Sequence, residues 1–146
     1  MQPDERWLSY PAREMARFAI SSWSERFDLV VEDLAQLPAK QGVVAEGVGF
    51  FPEIIAPHLP DPSQGVWLIP SEAFKRESVV RREKLSTVKV SDRARAVENL
   101  IARDLLINDH IRREAVARGL TLHEIDGSRG LDEMTAIVER QFERWL

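Results

Sequence analysis

The sequence Val43-Val44-Ala45-Glu46-Gly47-Val48-Gly49 decides the predicted fold. Its apolar residues do not alternate with polar ones, which is typical of a strand buried on both faces, as in a parallel sheet covered by helices. Ligands of open parallel sheets bind beyond the carboxyl ends of the strands. Glu46 stands at that end and is therefore the candidate catalytic residue. Its carboxylate could bind Mg²⁺ through a water molecule, orient a substrate hydroxyl, or act as a base. The alternative is an exposed or capping glutamate.

Composition indicates one soluble globular domain spanning residues 1–146, with 44% apolar and 30% charged residues. The net charge of -4 argues against a polycationic nucleic-acid binder, and no nucleic-acid partner is expected. The absence of cysteine excludes disulfides, thiol nucleophiles and thiolate metal sites, and is compatible with a reducing cytoplasm. No stretch approaches the roughly 18 apolar residues of a membrane span, and the first residues lack the apolar core of a signal peptide.

Two more strands are predicted, at Val66–Pro70 and at Thr121–Ile125. Helices are predicted around them, at 11–27, 29–37, 52–57, 71–82, 91–118 and 131–146. The crossovers are long enough for parallel pairing. The predicted class is therefore α/β, with three α/β/α layers around a small, mostly parallel sheet.

Most of the basic residues lie between Lys75 and Arg118. Arginines on two helical segments joined by a polar, flexible loop form a candidate clamp for phosphate, because guanidinium forks match phosphate oxygens and stay charged. The alternative is a solvated helix face with ion pairs, such as Arg95 with Glu98 or Asp109 with Arg112. The basic series consists of Lys75, Arg76, Arg81, Arg82, Lys84, Arg93, Arg95 and Arg103.

A third candidate site follows the last predicted strand, at Asp126-Gly127-Ser128-Arg129-Gly130. A strand that ends in a short loop of small residues before a helix offers backbone amides to a nucleotide base or a phosphate. An ordinary strand-to-helix turn is the alternative. The three histidines have no metal-ligand spacing, so no metal site is predicted from them.

Taken in order, these segments resemble the C-terminal two-thirds of a P-loop kinase-like NTPase, in the group of small-molecule and nucleotide kinases. Each motif is weak alone, and their order and spacing are moderately specific. The resemblance runs from Leu29 to the C-terminus and is carried by Val43–Gly47, by Val66–Pro70 with the arginines that follow, by Ser91–Asn99 with Arg103-Asp104, and by Ile125–Glu133.

The resemblance implies phosphoryl transfer from ATP, with Mg²⁺, to a nucleotide or another small molecule. It assigns Glu46 to the acceptor or metal side and a lid-like helical segment to residues 75–118. The implied lid residues are Arg76, Arg81, Arg82, Arg93, Arg95 and Arg103, and the implied adenine-side loop is Gly127, Ser128 and Arg129.

The sequence departs from this family at its defining motif, since G-x-x-x-x-G-K-S/T occurs nowhere in it. That loop cradles the phosphates and supplies the lysine and the magnesium-bound hydroxyl. The chain is expected to be a fragment, to have a mis-assigned start, or to derive from a gene that lost this part. A kinase-like domain without the loop is expected to be inactive or incomplete.

In the family, the strand that precedes the phosphate loop lies between the two strands predicted at Val43–Glu46 and Val66–Ile69. Without it, an apolar sheet is left uncovered, which favours association. We therefore expect a homo-oligomer. The alternative function is a non-enzymatic interaction or oligomerisation module.

Overall fold

The computed structural model describes residues 2–38 and 42–145. Its elements are α1 (Pro3–Leu8), α2 (Ala12–Ser24), α3 (Phe27–Ala35), α4 (Pro52–Ile55), β1 (Val66–Pro70), α5 (Glu72–Arg81), α6 (Arg93–Ala117), β2 (Thr121–Ile125) and α7 (Leu131–Phe142). Strands β1 and β2 pair in parallel, from Val66 opposite Thr121 to Pro70 opposite Ile125. Both strands and the mixed α/β class are confirmed.

The strand predicted at Val43–Glu46 is wrong. Residues 42–47 are irregular and exposed, and the side chains of Val43 and Val44 are 51% and 66% exposed. A strand needs a neighbour for its backbone amides and carbonyls, and the sheet of the described residues contains only β1 and β2. The buried part of this segment comes after the glycines, at Phe51 and Pro52, which are the largest fully buried side chains.

The two faces of the sheet are covered unequally. Alternate residues of a strand face opposite sides, and Trp67 and Ile69 are buried on the side where Trp67 packs with Ala115 of α6. Leu68, between them, faces the other side and is 46% exposed. Helix α7 reaches that other side at β2, where Gln141 Nε2 donates to Thr121 Oγ1 at 3.3 Å. The helical layer on the Leu68 side of the sheet is therefore incomplete.

Helix α6 is the element that joins the core. It begins at Asp92, whose carboxylate accepts from the Arg95 amide at 3.0 Å, and it is followed by Gly119 with φ +64°. It was predicted to begin at Ser91, one residue earlier. Its apolar residues enter three buried clusters that include Leu100, Ile107 and Ala115. None of the helices described here is both apolar enough and long enough to cross a membrane.

Helix α1 lies before the first predicted helix, in a segment for which no helix or strand was predicted. Trp7 is buried against α6, and its carbonyl accepts from Asn99 Nδ2 at 2.8 Å. Helix α2 ends at Ser24, three residues before the predicted end at 27. Its Met15 is buried, whereas its Phe18 is 50% exposed.

Candidate functional site

The carboxyl ends of β1 and β2 meet at one edge of the sheet. The Ser71 amide donates to the Ile125 carbonyl at 2.9 Å, and the Ser71 hydroxyl accepts from the Phe74 amide at 3.2 Å, which caps α5. On the α6 side, Asn108 Nδ2 donates to the Pro70 carbonyl at 3.2 Å. The edge is therefore held by β1, β2, the start of α5 and the middle of α6, which is the position of ligand sites in open parallel sheets.

The predicted nucleotide-side loop lies at this edge. Gly127 has φ +85°, and a Cβ atom there would be 3.1 Å from Cδ2 of Phe74, so the loop backbone lies against the first turn of α5. The Asp126 carboxylate accepts from the Ser128 hydroxyl at 2.6 Å and from its amide at 2.9 Å, and these bonds lower the pKa of Asp126. Arg129 Nε lies 3.3 Å from Glu133.

The surface depression formed by this loop is shallow. It is lined by Glu124, Ile125, Asp126, Gly127, Arg129 and Met134. Carboxylates also occupy the first turns of the adjoining helices, at Glu72 of α5 and at Asp132 and Glu133 of α7. Negative charge at these helix starts already complements the helix dipoles and repels an anion. The loop is therefore better suited to the polar edge of a base than to a phosphate.

The predicted lid arginines of α5 differ in how closely they pair with carboxylates. Arg76 Nε lies 2.9 Å from Glu72 and its Nη1 lies 3.0 Å from Glu98 of α6, and these bonds raise the pKa of Arg76. Arg81 is 3.7 Å from Glu77, a distance longer than a hydrogen bond. Arg82 is exposed and has no ion pair in residues 2–38 and 42–145. A phosphate would compete with carboxylates at Arg76 but not at Arg82.

The predicted lid arginines of α6 fall into two groups. Arg93 and Arg95 are exposed in its first turn and have no carboxylate partner within the described residues. Arg103 is held by Asp104 at 2.5 Å, and its guanidinium lies 4.9 Å from the centre of the Trp7 ring. Asp104 also pairs with Lys75. Arg103 and Lys75 therefore link α1, α5 and α6 rather than facing an open site.

The connection between α5 and α6 does not match the predicted flexible loop. Leu85, Val88 and Val90 pack against the buried cluster around Trp7. Their burial explains why this segment stays close to the core although it contains no helix or strand. Glu83 and Leu85 adopt left-handed backbone conformations, with φ +46° and +65°.

Glu46 lies in the exposed irregular segment before Gly47. Its side chain makes no hydrogen bond or ion pair with another residue that the structure describes. No three histidine, aspartate or glutamate side chains in the described ranges come together in a way that could hold a metal ion. The catalytic role of Glu46 therefore stays a prediction without a structural neighbour to support it.

A cleft between α2 and α6 was missed by the sequence prediction. It has a volume of about 460 Å³ and carries three arginines, Arg13 and Arg17 of α2 and Arg113 of α6. A pair of like charges four residues apart on one helix is unfavourable by itself. The spacing of Arg13 and Arg17 was the signal that could have pointed to this cleft.

Searches against protein-family models, curated proteins and solved structures found no match to this chain.

Proposed function

We propose that this chain is a kinase-like nucleotide-binding domain. The base of the nucleotide lies at the loop of Gly127, Ser128 and Arg129, and its phosphates face the arginines at the end of α5 and the start of α6. The ligand class is a nucleotide such as ATP or another phosphorylated small molecule. The P-loop kinase-like relationship is part of the same proposal.

The observation that carries the proposal is the parallel pairing of β1 and β2. It brings the loop after β2 against Phe74 in the first turn of α5, the helix that carries Arg81. Arg76 reaches Glu98, so α5 and the first half of α6 lie side by side. The base-side candidates lie at the carboxyl edge, and the phosphate-side candidates lie farther out on α5 and α6, the two helices that extend from it.

The proposed domain binds without transferring a phosphoryl group. The sequence contains no loop of the type that holds the β- and γ-phosphates. The described residues also contain no group of three carboxylates or histidines that could hold a metal ion. We therefore expect the protein to offer Mg²⁺ no ligand set of its own. Mg²⁺ should change the ATP affinity only through its effect on the free nucleotide.

Arg81→Gln combined with Arg95→Gln tests the proposal. Arg81 has only a long pair, 3.7 Å from Glu77, and the Arg95 guanidinium has no carboxylate partner in the described part of the chain, so the double substitution should preserve the fold. Calorimetric titration of the full chain with ATP should show affinity reduced on the order of 10-fold, since two charge-assisted contacts are lost.

Arg140→Gln is the matched control. Arg140 is exposed on α7 next to Gln141, which bonds to Thr121 at the amino end of β2, and so it lies toward the opposite edge of the sheet. It should leave ATP affinity unchanged. Equal affinities of the double variant and the natural sequence would remove the clamp, and absence of ATP binding by the natural sequence would refute the function.

A second candidate function is self-association without nucleotide binding. The observation that favours it is the exposure of apolar side chains at Val43, Val44 and Val48 of the irregular segment and at Leu68 of β1. Edges of a two-stranded sheet also leave backbone groups free to pair with another chain. An assembly with no affinity for ATP would support this candidate over the first.

A further inference from the structure

We propose that the cleft between α2 and α6 is a binding site for a small phosphate monoester. It shares no residue with the nucleotide site proposed above and is inferred independently of it. The cleft is lined by Arg13, Ala16, Arg17, Ile20, Ser21, Leu106, Asp109, His110 and Arg113. Its volume of about 460 Å³ lies within the ordinary range of small-molecule sites, roughly 300–1,000 Å³.

The three arginines of the cleft have no carboxylate partners within residues 2–38 and 42–145. One carboxylate, Asp109, lines the cleft, and it accepts from Arg112 at 2.6 Å. Two others bond to lining residues, since Glu25 accepts from the Ser21 hydroxyl at 3.0 Å and Glu53 is bonded to His110 at 2.6 Å. The three arginines outnumber the single lining carboxylate, so the lining has an excess of positive charge, although the protein as a whole is acidic.

The placement of the arginines favours a phosphate over a single-charged anion. Arg13 and Arg17 are one helical turn apart on α2, and Arg113 reaches the cleft from α6. Guanidinium groups approaching from two helices can each offer two N–H donors to a tetrahedral dianion. A bound dianion would also relieve the repulsion between Arg13 and Arg17.

The floor of the cleft favours an organic ester over free phosphate. Ala16, Ile20 and Leu106 provide apolar surface below the charged groups. His110 stands in the wall with its ring fixed, because Nε2 lies 2.6 Å from Glu53 Oε1 and the ring packs edge-on against Phe51 at 5.7 Å. An anionic group flanked by an apolar surface and a fixed ring is typical of sites that hold a phosphate and a compact organic body.

The test is titration of the full chain with inorganic phosphate and with phenyl phosphate, followed by calorimetry or by amide shifts in NMR spectra. Phenyl phosphate should bind several-fold more tightly than inorganic phosphate, because its ring covers the apolar floor. Arg17→Gln with Arg113→Gln should weaken phenyl phosphate binding by on the order of 100-fold, about 10-fold for each arginine. Arg17→Lys with Arg113→Lys should bind phenyl phosphate more tightly than the glutamine variant and less tightly than the natural sequence. Lysine keeps the positive charge but lacks the two-pronged geometry of the guanidinium group.

Lys89→Gln with Arg140→Gln is the matched control, because it removes two exposed positive charges outside both proposed sites, and it should leave phenyl phosphate binding unchanged. An equal loss in this control, or an unchanged affinity in the Arg17 and Arg113 variant, would overturn the cleft as the site. Binding of inorganic phosphate as tight as phenyl phosphate would overturn the ester. Loss of ATP binding only in the Arg81 and Arg95 variant, with phenyl phosphate binding retained, separates this site from the proposed nucleotide site.

Discussion

Gly127 is the residue at which the geometry of the carboxyl edge is most constrained. Its φ of +85° is a conformation that residues with a Cβ rarely adopt, and a Cβ there would crowd Phe74. Gly127→Ala should lower the free energy of unfolding by about 1–2 kcal/mol, since strain and a tight contact add. Thermal or denaturant unfolding followed by circular dichroism measures this loss.

Gly119→Ala is the comparison for this prediction. Gly119 also has a positive φ, +64°, but a Cβ there would have no neighbour within 4 Å. Gly119→Ala should therefore lower the free energy of unfolding through backbone strain alone, and by less than Gly127→Ala does. If the two substitutions destabilise the protein equally, Phe74 does not press on the loop as described.

At the scale of elements, α4 meets α6 through apolar packing, which includes Ile54 and Ile107, and through one polar pair. Glu53 of α4 and His110 of α6 are bonded at 2.6 Å, and the second carboxylate oxygen of Glu53 is buried without a hydrogen-bond partner among the described residues. Loss of one member of a buried polar pair leaves the other desolvated, which costs more than loss of both. Removal of one member of the pair should therefore destabilise the protein more than removal of both.

His110→Ala should destabilise the protein by roughly 1–3 kcal/mol, because Glu53 loses its partner. The double variant His110→Ala with Glu53→Leu should be more stable than His110→Ala alone, since no carboxylate remains without a partner. Urea unfolding of the two variants and the natural sequence measures both differences. A double variant that is less stable than the single one would show that Glu53 finds other partners.

At the scale of the whole molecule, the features that could be predicted are those with a clear signal in the local sequence. Val66–Pro70 and Thr121–Ile125 are short apolar strands between clear helix signals, and each finds the other as its partner. The Ser71 cap also follows from local sequence, because the hydroxyl bonds within its own first turn. The cap needs no distant contact, whereas each strand was confirmed only because its partner, 55 residues away in the sequence, is present.

The strand predicted at Val43–Glu46 failed because its formation depends on contacts that local sequence does not reveal. An apolar run becomes a strand only if another strand pairs with it, and local sequence does not reveal whether one is available. The cleft arginines were missed for a similar reason. Arg113 and Arg17 are far apart in the sequence and face one cleft only because α2 packs along α6.

The uncovered side of the sheet leads to a prediction about the molecule as an assembly. Leu68 is the central residue of β1 and is 46% exposed, although it lies between two buried residues. An apolar residue in this position beside an open strand edge favours contact with a second copy of the chain. We expect the natural sequence to form dimers or larger assemblies.

Leu68→Lys should shift this equilibrium toward the monomer, because a lysine on the sheet face and near its edge opposes strand pairing. Val116→Lys is the control, since Val116 is 72% exposed on α6 and lies outside the sheet. Light scattering over a dilution series gives the mass of each variant. A monomeric mass of the natural sequence at all concentrations would count against assembly. An equal shift with Val116→Lys would assign the effect to added charge rather than to the sheet.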